Sequence, residues 1–516
     1  MVLRLRFLLP ILALLALTAA TPARAEVPPP PAAVVVPTRT LTLRDALLLA
    51  VRGNPTLASA AASVRVADAL VEAARGQDDF VVDASARWRE TRSETVPGTP
   101  VQQPAFDEYA GALSLTKPLP TGGKIGLALL GSYSLTRFAT ELDMDAMGMP
   151  ATARTSVPAY APALQLTFAH PLLRGLGVRV ARADRYRARE RVGLATAERD
   201  GAAAALVRDV VSAYWDLAYA TRELEIRRAA AASARDQLRR VEANIAVGKQ
   251  PRSASAEILV AIALRDDAVL SAESALLGRS VELARLCALP VDASGAPRLA
   301  ASERPTTPAD ERDAAATLQA ALTANPQLLA IRAQGRSAAV EVDVTSNGML
   351  PQLDLAVAGG PTGSARDLDG ATHQLRGLHS YAVNAALVFQ LPLGRHNARG
   401  LRDAARESLR KAHLDEADIA GQVTAAVAEG VAARDTARRR AEVLARSNEA
   451  AALDLEAEKA RFEVGRSSNF DVLRRQDSLA QVQLSLLRAR VDELKALASL
   501  DAITGDILAR HELGLP

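Results

Sequence analysis

The stretch Val247-Gly248-Lys249-Gln250-Pro251 (VGKQP) divides the run from Gly177 to Leu289 into two parts that both have the composition of helices. Between Val178 and Val247 there is no proline, and glycine occurs only twice. Apolar or small residues recur there at steps of four and three, at Val207, Val211, Tyr214, Ala218, Thr221 and Leu224. This spacing predicts a coiled-coil seam. A helix of about 70 residues at ~1.5 Å per residue would be roughly 105 Å long.

A second run of the same kind extends from Gly394 to Val464, turns at Val464-Gly465-Arg466-Ser467 and returns to residue 508. Both turns contain Val-Gly, then a basic residue, then a polar one. Upstream, Asn54-Pro55 is echoed by Asn325-Pro326, each inside an apolar helical pattern. We interpret the two halves as an internal two-fold repeat of helix pair, strands and long antiparallel helical hairpin.

The segments follow from this repeat. Arg4 and Arg6, an apolar stretch and Ala23-Arg24-Ala25 predict a signal peptide, and the apolar stretch is too short for the alternative, an uncleaved membrane anchor. The expected organisation is a signal peptide (1–25), a Pro-rich linker (26–40), a first repeat (41–290, with strands in 81–168 and a hairpin in 177–289), a second linker (291–312) and a second repeat (313–516, with strands in 352–391 and a hairpin in 394–508).

Charge argues against a nucleic-acid partner. The chain has 62 Lys and Arg against 59 Asp and Glu, and three of the arginines lie in residues 1–25. Removing the signal peptide would therefore leave equal numbers of basic and acidic residues, so nothing favours an anionic surface. Beyond the signal peptide no apolar run is long enough for a transmembrane helix, so membrane contact would need strands closed into a barrel.

Strands are predicted where apolar residues alternate with small or polar ones. The clearest cases are Tyr109–Thr116 and Ile125–Leu135, and Val81–Arg92, Ala163–Phe168, Gln352–Ala358 and Tyr381–Leu391 have related patterns. Period two over about ten residues is typical of outer-membrane barrel strands, although a soluble β-sandwich shows the same alternation. Aromatic residues are concentrated in the strand regions, which favours the barrel because barrels place aromatics at the membrane interfaces.

Four features together resemble the TolC family of outer membrane efflux proteins over essentially the whole mature chain. They are the repeated Asn-Pro-x-Leu helix, the strand followed by Pro-Leu-Leu in Leu164–Gly177, Ala213-Tyr214-Trp215-Asp216-Leu217, and Phe462–Leu473. The order of these pieces and its duplication make the resemblance specific. It implies a mixed α and β protomer whose helical hairpins form a periplasmic α-barrel and whose antiparallel strands contribute to a trimeric outer-membrane β-barrel.

The resemblance also implies partners and a location. The expected protein is a homotrimer in the cell outer membrane, contacting membrane lipid, with its helical barrel projecting into the periplasm. It would act as the passive exit duct of a tripartite efflux or type I secretion system, with a periplasmic adaptor (membrane fusion) protein and an inner-membrane pump. The alternative is a periplasmic coiled-coil scaffold without a pore, and lipid-facing strands discriminate against it.

The chain departs from the family's pattern in three places. The first half has about 50 residues more than the second between its Asn-Pro and Pro-Leu motifs, which predicts an additional strand hairpin at 109–135 around Pro118–Lys124. Family members often narrow the periplasmic entrance with two Asp residues. Here Asp471 matches the first position and Arg474 occupies the second. A polar latch at the entrance is absent, because its matching positions hold Ala254 and Ser467.

The hairpin tips are the expected docking sites for the adaptor, at Val247, Gly248, Lys249, Val464, Gly465 and Arg466. Gly248 and Gly465 are expected to end their helices in the left-handed conformation. At the entrance, Asp471 and Arg474 would form rings of charge in a trimer, although Asp471 near a helix start could simply stabilise that helix end.

Catalysis and cofactor binding are not expected. Thr121-Gly122-Gly123-Lys124 lacks the first glycine and the final Ser or Thr of a phosphate loop, so a hairpin turn is the better interpretation. The six histidines show no metal-ligand spacing. Cys287 is the only cysteine and is expected to be buried.

Overall fold

The computed structural model describes residues 40–94, 101–142, 151–248, 251, 253–291, 299–306 and 312–515. The expected signal peptide, all but the last residue of the Pro-rich linker, and Lys249 at the first tip lie outside these residues. The described part of the chain combines long helices with one six-stranded antiparallel sheet. Within it, no helix is long and apolar enough to cross a membrane.

Each half begins with two helices that meet at an asparagine. These helices are α1 (Leu43–Gly53) and α2 (Pro55–Arg75) in the first half, and α6 (Ala314–Ala324) and α7 (Pro326–Asn347) in the second. The side chain of Asn54 accepts bonds from the N–H groups of Thr56 and Leu57, and that of Asn325 does the same for Gln327 and Leu328. A proline at the first helical position loses no hydrogen bond there, which explains the Asn-Pro pair.

Four long helices form the two hairpins. The first hairpin contains α3 (Val178–Ala181), α4 (Ala183–Ala246) and α5 (Ser253–Leu286), and the second contains α9 (His396–Glu463) and α10 (Asn469–Thr504), with the short α11 (Ile507–Arg510) after it. The 64 residues of α4 extend roughly 96 Å. The prediction of one unbroken helix from Val178 was wrong at Arg182, where φ is −110° and ψ is 23°. The Arg182 side chain is bound to Asp78 (Nη2–Oδ2 2.9 Å), at the start of the sheet.

The main core surrounds the middle of α4. Val207, Val211, Tyr214, Ala218 and Leu224 of the predicted seam are buried, whereas Thr221 is partly exposed. They pack with α1, α5 and α10, so that one cluster joins the first and the last helices of the described residues. The Tyr214 hydroxyl donates to the Leu41 carbonyl (3.1 Å) and accepts from the Glu303 N–H (3.3 Å), which satisfies its polar end in the apolar surroundings. These contacts also fix the two-stranded parallel pair of β1 (Thr40–Leu41) and β6 (Ala300–Ala301).

Six strands form the larger sheet, namely β2 (Val81–Arg92), β3 (Val101–Pro118), β4 (Lys124–Leu142), β5 (Ala151–Pro171), β7 (Gln352–Pro361) and β8 (Tyr381–Gln390). Their order in the sheet is β2-β3-β4-β5-β7-β8, and every neighbouring pair is antiparallel. The short helix α8 (Leu368–Arg376) connects β7 to β8 and packs on β5. No second sheet of comparable size faces this one among the described residues, so the sandwich alternative is wrong.

The additional hairpin is confirmed. Strands β3 and β4 pair in register from Tyr109↔Tyr133 to Pro118↔Lys124, joined by the turn at Thr121-Gly122-Gly123. Leu119 donates to the Gly123 carbonyl and Gly122 to the Leu119 carbonyl, so this glycine-rich segment is a hairpin turn. The first half therefore contributes four strands to the sheet and the second half contributes two.

Both layers of the molecule have open edges. In the sheet, β2 and β8 are the outer strands and every residue of both is exposed. In the helical layer, α4 packs on α5 and α10, and α10 packs on α9, which gives the order α5-α4-α10-α9. The first half thus ends at β2 and α5, and the second half ends at β8 and α9.

Candidate functional site: the sheet face and the hairpin tips

One face of the sheet is an apolar band that crosses all six strands. On β4 it consists of Ile125, Leu127, Leu129 and Tyr133. Register places Leu113 and Leu164 directly beside Leu129. The same face continues through neighbouring pairs, namely Val82–Leu115, Leu127–Leu166, Phe168–Val357, Leu355–Leu387 and Leu353–Phe389. Over residues 108–116 of β3 and 126–134 of β4, the opposite face carries small and polar residues apart from Leu130.

A row of aromatic side chains bounds this band at the end remote from the helices. Trp88, Tyr109, Tyr133 and Tyr160 are direct cross-strand neighbours on β2, β3, β4 and β5. The rings of Tyr109 and Tyr133 are 6.4 Å apart between centroids, and those of Tyr133 and Tyr160 are 4.8 Å apart. From Tyr133 to Ile125 the band measures about 27 Å along the strand and roughly 20 Å once tilted, close to the apolar height of a membrane barrel.

The hairpin tips are at the other end of the molecule and use one local structure. Gly248 (φ +74°) and Gly465 (φ +72°) both adopt the left-handed conformation. Gly465 donates to the Phe462 carbonyl (3.0 Å) and Arg466 to the Arg461 carbonyl (2.9 Å), the two bonds of a Schellman motif. Gly248 makes the corresponding bond to Ile245 (2.9 Å). The predicted helix ends are confirmed, and Val247 and Val464 beside them are exposed.

Two glycines, Gly465 at the tip and Gly421 within α9, provide a test of this geometry. Replacing Gly465 by alanine should cost about 1–2 kcal/mol, because an L side chain strains the left-handed conformation while an added Cβ meets no atom within 4 Å. Gly421 is the control, since it lies in the same helix without positive φ and is also open, so Gly421→Ala should stabilise by roughly 0.5–1 kcal/mol. Thermal unfolding in detergent should give opposite shifts, and equal shifts would contradict the assignment.

Asp471 lies at the start of α10 and caps it. The Asp471 N–H donates to the Ser468 hydroxyl (3.2 Å) and the Ser468 N–H donates to the Asp471 carboxylate (3.3 Å), which together form a capping box, and the Ser468 hydroxyl also donates to that carboxylate (2.6 Å). Hydrogen bonds from the Ser468 side chain and N–H hold the pKa of Asp471 below its ordinary value, so the carboxylate stays charged at neutral pH. Arg474 is exposed, and no ion pair between it and Asp471 occurs among the described contacts. Asp471 therefore stabilises the start of α10, which is the alternative to a role in the entrance.

Sequence reasoning missed a polar clamp between the two hairpins. Arg265 on α5 has a side chain only 8% exposed and forms an ion pair with Asp477 of α10 (Nη2–Oδ1 2.8 Å). Its guanidinium also donates to the backbone carbonyls of Ala230 and Leu473. Nearby, the buried side chains of Gln237 and Asn469 bond at 2.5 Å. The only sequence signal was a charged residue in the apolar stripe of α5, because its partner lies more than 200 residues away.

Groups that could carry metal or redox chemistry are sparse. Among the described residues no set of three His, Cys, Asp or Glu side chains is close enough to hold a metal ion. His373 in the last turn of α8 and His379 just after this helix stack with 6.0 Å between ring centroids, and both are exposed. Cys287 is buried against α1, where its thiol contacts the Ala46 carbonyl, and burial raises the pKa of this thiol to about 12. Such a thiol is protonated and unreactive at neutral pH.

Comparison with known proteins identifies similar chains. Residues 317–506 match the family model described as outer membrane efflux protein. A search of curated proteins found no match. Among solved structures the chain is similar to the outer membrane protein VceC of Vibrio cholerae, with 17% identity, a TM-score of 0.61, and 90% of this chain and 96% of that chain covered.

Two further solved structures show the same fold. The CmeC outer membrane channel of Campylobacter jejuni has 14% identity and a TM-score of 0.61, with 90% of this chain and 86% of that chain covered. The open state of the MtrE outer membrane channel of Neisseria gonorrhoeae has 16% identity and a TM-score of 0.59, with 90% and 89% covered. At these identities the similarity establishes the architecture of this chain.

Proposed function

We propose, on the premise that this chain has the fold of the TolC-like outer membrane efflux proteins, that three copies form a passive efflux duct through the outer membrane. The strands would close into a barrel in the membrane, and the helical hairpins would continue the duct into the periplasm. Residues 41–290 and 313–516 would be the two repeats of each copy. Transport through such a duct needs no catalytic residue or cofactor.

The observation that carries this proposal is the continuous apolar band with its aromatic border. Val82, Leu113, Leu129, Leu164 and Leu387 lie on one face without a covering layer, and large apolar side chains in that arrangement are unfavourable in water. A barrel in lipid satisfies both the apolar face and the open backbone groups of β2 and β8. A periplasmic scaffold without a pore gains nothing from such a face.

The open edges favour a ring of copies. The β2 edge of one copy would pair with the β8 edge of the next, and α5 of the first copy would pack on α9 of the next. The first half of the chain provides one edge of the sheet and one edge of the helical layer, and the second half provides the other two. A single head-to-tail contact between copies can therefore join the sheet edges and the helix edges at once, and such contacts generate a ring when the rotation between copies closes. The free flank of α5 is apolar enough for this packing, with exposed residues Leu259, Leu270 and Leu277 aligned along one side of the helix. Three copies would give a barrel of about 18 strands.

The hairpin tips at Val247, Gly248, Lys249, Val464, Gly465 and Arg466 are the proposed contacts of a periplasmic adaptor protein, which would link the duct to an inner-membrane pump of a tripartite efflux or type I secretion system. The Schellman turn at Gly465 supports a rigid tip that a partner can recognise. The valines beside the glycines are exposed and offer apolar contact.

Charge selectivity at the entrance provides a specific test of Asp471 and Arg474. In a trimer each would form a ring of three, so Asp471→Asn should shift ion selectivity towards anions and Arg474→Asp should shift it towards cations. The expected change is several millivolts or more in reversal potential across planar bilayers under a salt gradient, as an order-of-magnitude estimate.

Asp45→Asn is the matched control for this test. Asp45 lies three residues after Thr42, the N-cap of α1, just as Asp471 lies three residues after Ser468, the N-cap of α10. Helix α1 packs in the main core and not at the tips. This control should leave the reversal potential unchanged. Unchanged potentials in both entrance variants would mean that Asp471 acts only as a helix cap and that Arg474 is only solvated.

Fractionation of cells tests the proposal as a whole. The duct should be recovered from the outer membrane fraction as a detergent-extracted trimer whose electrophoretic mobility changes on heating. A protein recovered only from the soluble periplasmic fraction, without such a species, would favour the scaffold.

A further inference from the structure

The strands β3, β4 and β5 are much longer than a membrane span requires. They contain 18, 19 and 21 residues, whereas a tilted membrane strand needs about 9–11. Their ends extend beyond the aromatic row, away from the helices. On the same face as that row, charged residues appear there beside Leu135 and Pro158, namely Arg92, Asp107, Arg137 and Arg154.

Asp107 organises this charged surface. It is 7% exposed and bonds Arg92 through Oδ1 (2.8 Å) and Arg137 through Oδ2 (2.9 Å). Arg92 is also paired with Glu90 (2.7 Å), so its charge is balanced within the sheet. Arg137 is held by Asp107 through one terminal nitrogen. Because a guanidinium has five N–H donors, this bond fixes the direction of Arg137 and leaves it capacity to bind a further anion.

Two residues of β5 complete the surface around Arg137. Ser156 is its direct cross-strand neighbour, and Arg154 is two residues further along β5 on the same face. Such diagonal neighbours are about 7–8 Å apart, which lets two arginines converge on one phosphate. Ser156 and Arg154 are exposed. This surface therefore presents two guanidinium groups and one hydroxyl group.

We propose that Arg137, Ser156 and Arg154 bind the phosphate of a lipid headgroup in the outer leaflet of the membrane. The inference rests on the proposed function, because it requires the apolar band to lie in lipid. The position selects a lipid over other anions, since the three residues share the face of the band and lie just outside its aromatic row, where headgroups are found. Arginine pairs with phosphate through two parallel N–H bonds, so the geometry suits this ligand.

The test compares phosphorylated and unphosphorylated lipid on matched variants. Wild type, Arg137→Gln/Arg154→Gln and Arg87→Gln/Arg89→Gln would be purified in a phosphate-free maltoside detergent and incubated with a small amount of bisphosphorylated or dephosphorylated lipid A. Retained lipid would be counted by native mass spectrometry. Arg87 and Arg89 are the control, because they lie beside Glu108 on the opposite face of the sheet. We expect wild type and control to retain the bisphosphorylated form, and the first variant to retain about tenfold less.

Arg154→Gln alone guards against misfolding. Asp107 is bonded to Arg92 and Arg137, so the loss of Arg154 leaves both of these pairs intact and should still weaken retention severalfold. Equal retention by wild type, the double variant and the single variant would overturn the inference, as would retention that ignores the phosphates. If detergent-solubilised wild type binds inorganic phosphate through the same two arginines and retains no lipid A, the ligand is a free anion and the lipid assignment is wrong.

The two proposals fail separately in this experiment. Each preparation would also be measured for conductance in planar bilayers. A conducting wild type without lipid discrimination contradicts only the headgroup site. A wild type that neither inserts nor conducts contradicts the proposed duct, whatever it binds.

Discussion

Leu129→Arg should abolish stable insertion into the outer membrane. Leu129 lies at the centre of the apolar band between Leu113 and Leu164, and its side chain is 52% exposed in a single copy. An arginine at the midplane of the lipid-facing surface costs about 2–4 kcal/mol, and a trimer would contain three of them. We expect the heat-modifiable trimer to disappear from the outer membrane fraction.

Ser132→Arg is the control for that experiment. Ser132 is in the same strand but on the opposite face, beside Ala110 and Ala161, where the duct would contain water. This variant should still insert and assemble, with altered ion conduction at most. If Leu129→Arg inserts as well as Ser132→Arg does, the apolar face does not contact lipid.

Leu270→Arg should prevent the copies from assembling. Leu270 is 65% exposed on the free flank of α5, where the proposed ring places α9 of the next copy. Burying an unpaired arginine in such a contact should cost about 2 kcal/mol or more at each of three interfaces, which is enough to dissociate the trimer. Native mass spectrometry of the detergent-extracted protein should find monomers with unchanged helix content by circular dichroism.

Ala275→Arg provides the comparison on α5. Ala275 is also exposed, but helical periodicity places it about 140° around the helix from Leu270 and about 160° from Leu259 and Leu277. An arginine there can therefore remain in solvent, and this variant should assemble normally. Trimers of normal stability in Leu270→Arg would show that this flank of α5 is not the contact between copies.

Periodic patterns of apolar residues and the Asn-Pro pairs were enough to locate most helices and strands of this fold. Alternation in Tyr109–Thr116 and Ile125–Leu135 predicted both strands of the additional hairpin and which side chains share a face, because only one register keeps the apolar residues together. The Asn-Pro pairs predicted helix starts at Pro55 and Pro326, where a cap and a proline act locally.

Features that depend on distant contacts were not predicted. Strand β5 begins at Ala151, whereas the alternation predicted a strand only from Ala163, and the added part contains Pro158 and Pro162. Residues two apart in a strand direct their N–H groups to the same side. The N–H of Tyr160 bonds to Ala365 and therefore points away from β4, and the same side is used at positions 158 and 162. A proline at these positions therefore removes no hydrogen bond between β4 and β5. Helix α8 was also missed, since nine residues give too short a pattern.

At the tips, the glycine conformations were predicted from two residues because only glycine readily occupies positive φ. The clamp of Arg265 with Asp477 was not, because a buried cation is recognisable only once its partner is in place. The entrance assignment of Asp471 and Arg474 remains a prediction, and Asp471 additionally caps α10.

Single-channel recording of the purified protein in planar bilayers tests the central claim most directly. The proposed duct should give stepwise, ohmic conductance at low protein concentration, lost in Leu129→Arg and retained in Ser132→Arg. A folded wild-type protein that gives no conductance steps and does not associate with the bilayer would contradict the duct and leave the pore-free scaffold as the function of the chain.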